Sequence, residues 1–477
     1  MPDLLFYNSF TKQVEPLRPQ EPGKVRLYHC GPTVYKRQHI GNMRRFLFAD
    51  YLRRTLEFFG YEVREITNIT DVGHLTQDEI DAGEDKMERA AKEAKVTPQV
   101  IADKQIAAFI ADVQALNIQL SHKYPRATQH IPQMQQLITQ LLEKQYAYQT
   151  TTGIYFDVQS FPAYGKLSGN TLENIAAGKR VAIREEKKHP ADFALWIFDK
   201  QSLQRWDSPW GEGFPGWHIE CSAMSLEYLG SGIDIHTGGE DNRFPHHENE
   251  IAQSEAATGE SFVRLWMHNR HLHLSGQKLA KRAGEQITLD TIKEKGFTAL
   301  AFRLLVFSVH YRTPMDFSWE ALAAAEEHVR SLRGTLRRLL NLDLVANQAD
   351  ATVDREVTQA FGKALADDLN TPQAWTVFLQ YVRTINTALE TTTLTTAAAK
   401  QYLTTLFHLD HVLGVLQPLR YELEAEHIPA EITDLAKQRE RARQGNQFVE
   451  ADRLRTILES KGYYIEDTPS GPRIMPK

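Results

Sequence analysis

The chain has 477 residues, of which 42% are hydrophobic and 24% are charged, and a formal net charge of −6. This length exceeds what one hydrophobic core usually serves, so we expect a globular protein of roughly three or four units. Two cysteines exclude a disulfide scaffold and favour a reducing, cytoplasmic location. No signal peptide and no apolar run near the roughly 20 residues of a membrane span is evident, so we expect a soluble protein. The acidic balance does not indicate nucleic-acid binding, and any basic face has to be sought locally.

The first 70 residues carry the pattern of a parallel βαβ unit. Residues 24–30 alternate as a strand does, an amphipathic helical run follows and stops at Gly60, and residues 61–67 form a second strand. Ligands of such units bind at the carboxyl ends of the strands, where residues 39–42 (His-Ile-Gly-Asn) precede the helix. A helix N-terminus in that position favours a phosphate group, and an ordinary turn is the alternative.

The next part of the chain predicts an insertion into the sheet. Residues 73–88 are acidic and lack periodicity, which indicates a solvated loop, and amphipathic helices are predicted near 98–116 and 129–145. Residues 152–206 have the pattern of a β-rich insertion, after which the sheet resumes near 233–236.

Two features follow the resumed sheet. Residues 238–241 form a turn at the end of a strand, and 266–269 are a further apolar strand. Lys278 and Lys281 then stand three apart in a glycine-bounded loop, where mobile point charges suit a polyphosphate. A solvated basic turn is the alternative interpretation.

Both cysteines lie near other residue types that bind metals. Cys30 ends the first strand, and Cys221 comes before His246 and Glu250, whose spacing of four places them on one face of a helix. Thiolate, imidazole and carboxylate ligands together suit zinc in a tetrahedral site. For each residue alone, a buried apolar cysteine or a solvated helix end would explain the pattern as well.

From about residue 300 the pattern turns helical. Helices are predicted at 319–342, 353–366, 372–390, 396–416 and 433–444. Basic residues recur in two places, in a pattern that suits contacts with phosphates but also fits a solvated helix face. They are Arg330, Arg333, Arg337 and Arg338 in the first place, and Lys437, Arg439, Arg441, Arg443, Arg453 and Arg455 in the second.

Several stretches also stand out as motifs. They are residues 30–35 (Cys-Gly-Pro-Thr-Val-Tyr), 39–42, 68–71 (Asn-Ile-Thr-Asp), 216–224, 234–250 and 278–282. In this order and near this spacing they resemble the class I aminoacyl-tRNA synthetases, and within them the cysteinyl-tRNA synthetase family, along essentially the whole chain.

The resemblance implies an α/β fold. It consists of a Rossmann-like parallel-sheet catalytic domain with an insertion, an α-helical anticodon-binding bundle and a small C-terminal module. The implied division is 1–120 and 207–264 for the two halves of the catalytic domain, 121–206 for the connective insertion, 265–325 for the lysine-loop and stem-contact region, 326–426 for the bundle, and 427–477 for the C-terminal anticodon-recognition module.

The resemblance also implies an activity. The enzyme would activate L-cysteine with ATP to cysteinyl-adenylate and transfer it to tRNA(Cys), as a cysteine–tRNA ligase. One zinc ion per chain would bind the thiolate of the substrate cysteine, and ATP would enter with Mg²⁺. No editing domain is expected, because a site that must pair a specific polar group rejects the wrong analogue by itself. We expect a monomer with no membrane partner.

The same resemblance assigns roles to residues of this chain. The implied zinc ligands are Cys30, Cys221, His246 and Glu250. The implied catalytic residues are His39, Asn42, Lys278 and Lys281, which form the ATP site together with Asp241. Thr33, Thr70 and Trp217 are expected to wall the cysteine pocket, with a plain core aromatic as the alternative for Trp217. Arg439, Arg443, Arg453 and Arg473 are expected to contact tRNA.

The chain departs from the usual family pattern in three places. The motif His-Ile-Gly-His ends here in Asn42, which can donate a hydrogen bond but carries no charge. The lysine motif contains Ala280 and Arg282, and Arg473 stands near the end where a tryptophan often follows the glycine. Two other functions remain open: a cysteine ligase that acts on a small amine, and a non-catalytic RNA-binding paralogue. The complete C-terminal half argues against the first, and the retained zinc ligands and lysines argue against the second.

Overall fold

A four-stranded parallel sheet organises roughly the first 270 residues of the chain. The computed structural model describes residues 3–73, 75–77, 82–174, 186–274, 277–278, 286–342, 352–391, 394–425, 428–468 and 471–476. In spatial order the strands of this sheet are Val263–Asn269, Ile233–Gly239, Lys24–His29 and Glu62–Thr67. All neighbours run parallel, with Thr237 paired to His29 and His29 paired to Thr67. The predicted βαβ unit is therefore confirmed.

The chain changes direction across this sheet between its two central strands. From Lys24–His29 it proceeds outward to Glu62–Thr67, whereas from Ile233–Gly239 it proceeds to the opposite edge. In open α/β sheets the ligand crevice lies at such a switch point, outside the carboxyl ends of the strands. Cys30 follows one of these two strands directly, and Asp241 lies two residues beyond the other. The topology thus brings together motifs that are about 200 residues apart in sequence.

A second sheet confirms the predicted β-rich insertion and extends it on both sides. It is antiparallel, and its strands in spatial order are Phe214–Pro215, Phe193–Ile197, Gly153–Phe156 and Ala147–Gln149. Its aromatic residues stack on one another, as Phe156 does on Phe193 with ring centroids 5.0 Å apart. Residues of the two outer strands pair with those of the inner ones, so the unit is wider than the predicted 152–206.

The remaining strands form small antiparallel or mixed sheets. They are Leu5–Asn8 with Gln13–Pro16, Leu75–Gln77 with Ala82–Asp85, Gln277–Lys278 with Leu272–Leu274 and Met315–Phe317, and Tyr463–Thr468 with Gly471–Pro476.

The helices of the catalytic and insertion regions are Ile40–Phe58, Lys86–Ala94, Pro98–Ala115, Ile131–Glu143, Trp217–Leu229 and Glu248–Thr258. Those of the later region are Leu289–Glu294, Ala299–Phe307, Trp319–Leu340, Arg355–Ala366, Thr371–Glu390, Thr396–Leu413, Leu416–Ala425, Ala430–Gln444 and Phe448–Ser460. Short helical turns occupy Ala127–Gln129, Val158–Ser160 and Arg243–His247.

The prediction of a solvated loop over 73–88 was wrong. The described part of this stretch contains a short hairpin, and a helix begins at Lys86. Asp85 caps that helix, because its carboxylate accepts hydrogen bonds from the backbone N–H groups of Met87 and Glu88 at 2.7 and 3.0 Å. Met87 and Ala91 bury the inner face. The aspartate cap was visible in the sequence, but the acidic composition of the stretch had been interpreted as that of a solvated loop.

The predicted helix 396–416 is two helices. The first ends at Leu413, because Gly414 adopts a left-handed conformation with φ of 70°. The second begins at Leu416, and the carboxylate of Asp410 accepts its first N–H groups. The helix Phe448–Ser460 was not predicted at all.

One hydrophobic core joins the parallel sheet to the later helices. The ring of Tyr51, on the helix Ile40–Phe58, meets the ring of Phe307 edge-on with ring centroids 5.0 Å apart. Phe58 on the same helix contacts Phe361 in the bundle. Residues beyond 428 instead have a small core of their own, which contains Ile432, Ala436, Leu458 and Ile465. Among the described residues, no helix is long and apolar enough to cross a membrane.

Candidate active site

The four residues expected to bind zinc meet at the floor of the switch-point crevice. The Sγ atoms of Cys30 and Cys221 are 3.9 Å apart, and Cys30 Sγ is 3.6 Å from Glu250 Oε1. His246 Nε2 is 3.0 Å from the same carboxylate oxygen. All four side chains are buried, and their ligand atoms lie within 4.8 Å of one another. The sequence therefore predicted a set of residues that the fold does bring together.

Separate elements supply these four side chains. Cys30 follows the strand Lys24–His29, and Cys221 lies on the helix Trp217–Leu229. His246 ends a short distorted turn, and Glu250 lies in the first turn of the next helix. The predicted spacing of one helical turn between His246 and Glu250 is present, because the extended dihedral angles of Phe244 lie before both residues.

The electrostatics of this donor set favour a positive charge at its centre. Burial raises the pKa of the Cys221 thiol, but a hydrogen bond from Cys30 and the charge of His246 outweigh it and lower this pKa to about 6. Burial lowers the pKa of His246, but Cys221 and Glu250 outweigh it and raise this pKa to about 10. For Glu250 burial raises the pKa, and His236 and His246 bring it down to about 2. These shifts favour a thiolate at Cys221 and a carboxylate at Glu250, the deprotonated forms in which both side chains bind a metal cation.

Zinc fits this donor set. Two thiols, an imidazole and a carboxylate are borderline-soft ligands of the kind that zinc accepts in a tetrahedron. A second set of donor atoms also lies within 4.8 Å and consists of Cys30, His236, His247 and Glu250. Of these, only Cys30 lines the crevice, whereas Cys30, Cys221 and His246 of the first set all do. We therefore take the first set as the candidate metal site.

Buried histidines surround the candidate metal site and orient its ligands. His236 Nε2 is 2.8 Å from Glu250 Oε2, and His247 Nε2 is 3.2 Å from Cys30 Sγ. His218 Nδ1 is 2.8 Å from His246 Nδ1, which leaves Nε2 of His246 directed at the other ligands. Such outer contacts fix the orientation of metal ligands and their tautomers. The sequence analysis gave these three histidines no role, because their contacts depend on how the strands and helices pack.

The residues expected to wall the cysteine pocket also line this crevice. It has a volume of about 420 Å³, and Thr33, Thr70 and Trp217 border it together with the two thiols. Thr33 and Thr70 pair as a short β-bridge. Trp217 stacks on His246 with ring centroids 4.3 Å apart, so it contacts a candidate ligand rather than filling a remote core.

The residues expected to bind ATP lie at the other end of the crevice. His39 caps the helix Ile40–Phe58, and its Nδ1 accepts a hydrogen bond from the backbone N–H of Asn42 at 3.2 Å. A second, adjoining cavity is bordered by His39, Asn42 and Asp241. A Cβ at Gly239 would lie 2.4 Å from Asp241 Oδ1, so a side chain at this position would displace that carboxylate. The fold thus brings the three residues together beside a helix N-terminus.

The remaining expected site residues are placed only in part. Lys281 lies outside the described residues, and Lys278 is described only as part of the strand Gln277–Lys278. Arg453 is exposed and pairs with Glu450 at 2.9 Å.

The other arginines expected to bind tRNA differ in exposure. Arg439 is 3% exposed, and both ends of its guanidinium donate to the carboxylate of Asp467. Arg443 pairs with the same carboxylate from a more exposed position. The side chain of Arg473 lies outside the described part of the chain.

Arg45 is among the residues of the crevice that the sequence analysis did not single out. Arg45 borders both cavities and lies three residues after Asn42 on the same face of the helix. The i, i+3 spacing was visible in the sequence, but the resemblance had drawn attention to the motif at 39–42 alone.

Comparisons with known proteins identify the class to which the chain belongs. Residues 16–327 match the family model described as tRNA synthetases class I (C) catalytic domain, and residues 360–417 match the DALR domain. A Mycobacterium tuberculosis methionyl-tRNA synthetase in complex with methionyl-adenylate shares the fold, with a TM-score of 0.57 at 15% identity over 83% of this chain and 90% of that one. The fold, the crevice and the matched domains define a class I aminoacyl-tRNA synthetase.

Full-length relatives narrow the class to one family. The chain is 41% identical to a cysteine–tRNA ligase of Chlorobaculum tepidum, over 99% of this chain and 98% of that protein. It is 41% identical to an enzyme of the same name from Thermus thermophilus, over 98% of each, and 42% identical to that from Deinococcus radiodurans, over 99% of this chain and 96% of that protein. The chain belongs to the cysteine–tRNA ligase family.

Proposed function

We propose that the chain activates L-cysteine with ATP and joins it to tRNA(Cys), the reaction for which its relatives are named. The observation that carries this proposal is the buried set of Cys30, Cys221, His246 and Glu250 at one end of the crevice, with His39 at the other end. A substrate spanning the two ends would place its sulfur at the donor set and its carboxylate toward the nucleotide.

Selection of cysteine is proposed to rest on zinc held by the four donors. When bound, zinc lowers the pKa of a thiol well below its ordinary value of about 8.5 and prefers the thiolate to a serine hydroxyl. The histidines behind the site, His218 and His236, hold His246 and Glu250 in position. Thr33, Thr70 and Trp217 are proposed to enclose the cysteine side chain.

His39 is proposed to donate a hydrogen bond to the reacting phosphate. Its Nδ1 accepts from the N–H of Asn42, so in the neutral ring the proton resides on Nε2. Asn42 donates through Nδ2 to Gln38 Oε1 at 2.8 Å, which fixes its amide beside the imidazole. The helix N-terminus adds further positive potential.

The remaining ATP contacts are proposed from the family motifs. Asp241 would meet the ribose, and Lys278 and Lys281 would follow the β and γ phosphates, with Mg²⁺ entering on the nucleotide. The cysteine carboxylate attacks the α-phosphorus in line, the bond to the bridging oxygen of pyrophosphate breaks, and cysteinyl-adenylate remains. No protein nucleophile is needed, because positioning and charge stabilisation supply the catalysis.

The later helices are proposed to receive the tRNA. In this proposal residues 326–426 form the anticodon-binding bundle and 427–477 the small recognition module, while 265–325 contact the stem. Arg443, Arg453 and Arg473 are proposed to contact phosphates or bases. The burial of Arg439 against Asp467 favours a supporting role, in which it holds the last hairpin against the helix Ala430–Gln444. We further propose that the chain acts as a monomer in the cytoplasm.

Charging of total cellular tRNA by the purified chain tests the proposal. Labelled cysteine and ATP are supplied, with labelled serine as the control amino acid. The proposal predicts charging with cysteine alone. Cysteine-dependent pyrophosphate exchange without any charging would point to a ligase acting on a small amine, and loss of both reactions would mark a non-catalytic paralogue.

A further inference from the structure

Four residues border both cavities of the crevice, namely His39, Asn42, Arg45 and Asp241. One cavity is bordered by Gly41 and Gly239 and is the proposed nucleotide site, and the other is bordered by the two thiols. Three of the four residues already have roles in the proposed reaction, and Arg45 has none. We propose that Arg45 binds the oxyanions that meet at this junction, the carboxylate of cysteine and the α-phosphate of the nucleotide.

The surroundings of Arg45 leave its charge available. Nη1 donates to Asn242 Oδ1 at 3.3 Å and Nη2 donates to the Gly31 carbonyl at 3.1 Å. Both acceptors are neutral, and among the described residues Asp241 is the carboxylate that acts on this charge, without forming an ion pair with the guanidinium. Nε is buried and has no hydrogen-bond partner in the described part of the chain. A guanidinium has five N–H groups, so two hydrogen bonds leave most of its donors unused.

The position of Arg45 is fixed before substrate arrives. The residue lies in the second turn of the helix Ile40–Phe58, and its guanidinium carbon is 5.1 Å from the ring centroid of Phe46. The contact to Gly31 also ties it to the loop that follows Cys30. Position 31 of this loop has no room for a side chain, because a Cβ there would lie 1.5 Å from the Asn68 carbonyl oxygen. Arg45 is therefore held between the metal-ligand loop and the nucleotide end.

An oxyanion is the ligand that this arrangement suits. The planar guanidinium fork matches carboxylate and phosphate oxygens and keeps its positive charge at any physiological pH. In the proposed reaction the carboxylate of cysteine must approach the α-phosphate between the two ends of the crevice, and two anions repel unless a cation lies between or beside them. Asn42 carries no charge and cannot serve in this way. The inference rests on the proposed adenylate chemistry.

Two variants and one control test the inference. Arg45→Gln removes the positive charge and keeps a hydrogen-bond donor. Arg45→Lys keeps the charge and loses the planar guanidinium fork. The control, Arg64→Gln, alters an exposed arginine on the strand Glu62–Thr67 of the parallel sheet. Cysteine-dependent pyrophosphate exchange is measured as kcat and KM separately, with metal content and thermal unfolding recorded for each protein. We expect Arg45→Gln to lower kcat/KM roughly tenfold to a hundredfold, Arg45→Lys to recover part of this, and Arg64→Gln to match the parent.

Binding measurements separate the two oxyanions. Calorimetry compares cysteine with cysteamine, which lacks the carboxylate, and AMP with adenosine, which lacks the phosphate. If Arg45 binds the carboxylate, Arg45→Gln weakens the binding of cysteine but not that of cysteamine. If Arg45 binds the phosphate, the variant weakens the binding of AMP but not that of adenosine.

Three results would overturn the inference. The first is that Arg45→Gln leaves the exchange kinetics unchanged. The second is that it weakens the binding of both ligands of each pair equally. The third is that loss of metal is the only defect of this variant. These are distinct from a failure of the proposed function, in which the parent protein itself would show no cysteine-dependent exchange.

Discussion

Arg303 and Asp50 form a fully buried ion pair in which Nη2 lies 2.7 Å from Oδ2. Asp50 lies on the helix that begins beside His39, and Arg303 lies on the helix Ala299–Phe307. Arg303 also donates to the carbonyl oxygens of Leu413 and Leu116, at 2.7 and 3.0 Å. One arginine thus ties the helix Ile40–Phe58 to the later helices.

Removal of one partner of this pair should strongly destabilise the protein. Burial raises the pKa of Asp50, but Arg54 and Arg303 outweigh it and hold this pKa below its ordinary value. Arg303→Met would leave several carbonyls and a buried carboxylate short of a partner, at a cost of about 3–5 kcal/mol. Urea unfolding measures this loss. The exposed pair Arg330 and Glu327 is the control, because Arg330→Gln should change the unfolding midpoint too little to resolve. Similar midpoints for both variants would contradict the account.

Gly414→Ala should disturb the same arginine from the opposite side. A Cβ at Gly414 would lie 2.5 Å from Nη2 of Arg303, and the hydrogen bonds of that guanidinium prevent it from moving aside. Gly60→Ala is a matched control, since Gly60 also has a left-handed φ, 86° against 70°, but open space where its Cβ would be. We expect Gly414→Ala to cost about 1–3 kcal/mol more than Gly60→Ala in urea unfolding. Equal costs would show that only the backbone conformation matters at residue 414.

Glu57 should contribute an acid-sensitive part of the stability. Burial raises its pKa, but the contact with His411 Nε2 at 3.4 Å and the hydrogen bond from Arg53 outweigh it and lower the pKa to about 2. A depressed pKa means that the carboxylate stabilises the folded state above its ordinary value of about 4.5, and that this contribution is lost as the pH falls toward 2.

Urea midpoints at pH 7, 4.5 and 3 test this dependence. Glu57→Gln should be less stable than the parent at pH 7, by at most about 3 kcal/mol, and should lose less stability on acidification. Asp3→Asn, at an exposed position, serves as a charge control. Parallel pH profiles for the parent and Glu57→Gln would contradict the assignment.

A chain that ends after Ala425 should separate cysteine activation from tRNA charging. Residues beyond 428 have their own small core, whereas the helix Trp319–Leu340 shares the large core with the parallel sheet. Truncation near residue 320 would therefore expose that core, and a loss of activity could then come from unfolding rather than from a loss of tRNA binding. We expect the shorter deletion to keep pyrophosphate exchange within about twofold and to reduce kcat/KM for tRNA roughly tenfold or more, because it removes the basic residues proposed to contact the nucleic acid. Equal loss of both reactions would show that the last unit supports the catalytic fold.

Local signals in the sequence predicted much of the fold. Alternation and glycine stops identified the strands at 24–29 and 62–67 and the helix between them, because each pattern is complete within about 20 residues. The donor set was also predictable, since two cysteines leave few combinations and the motifs supplied the rest. The cap at Asp85 and the break at Gly414 were local signals that the analysis missed.

Long-range contacts explain what the sequence could not reveal. The pair of Arg303 and Asp50 joins helices far apart in the chain, and no periodicity marks a buried charge of this kind. The same holds for His236 behind Glu250, whose strand position alone suggests an ordinary core residue. The availability of Arg45 depends on what surrounds it rather than on its own neighbours in sequence.

The most direct test of zinc-based selection is X-ray absorption at the zinc edge of the purified protein, with and without substrate amino acid. The two cysteines of the chain predict two sulfur ligands in the absence of substrate. Saturating cysteine should raise the count to three, serine should leave it at two, and Cys221→Ser should bind no zinc. A sulfur count that cysteine leaves unchanged would contradict the proposal that the metal selects the substrate by its thiolate.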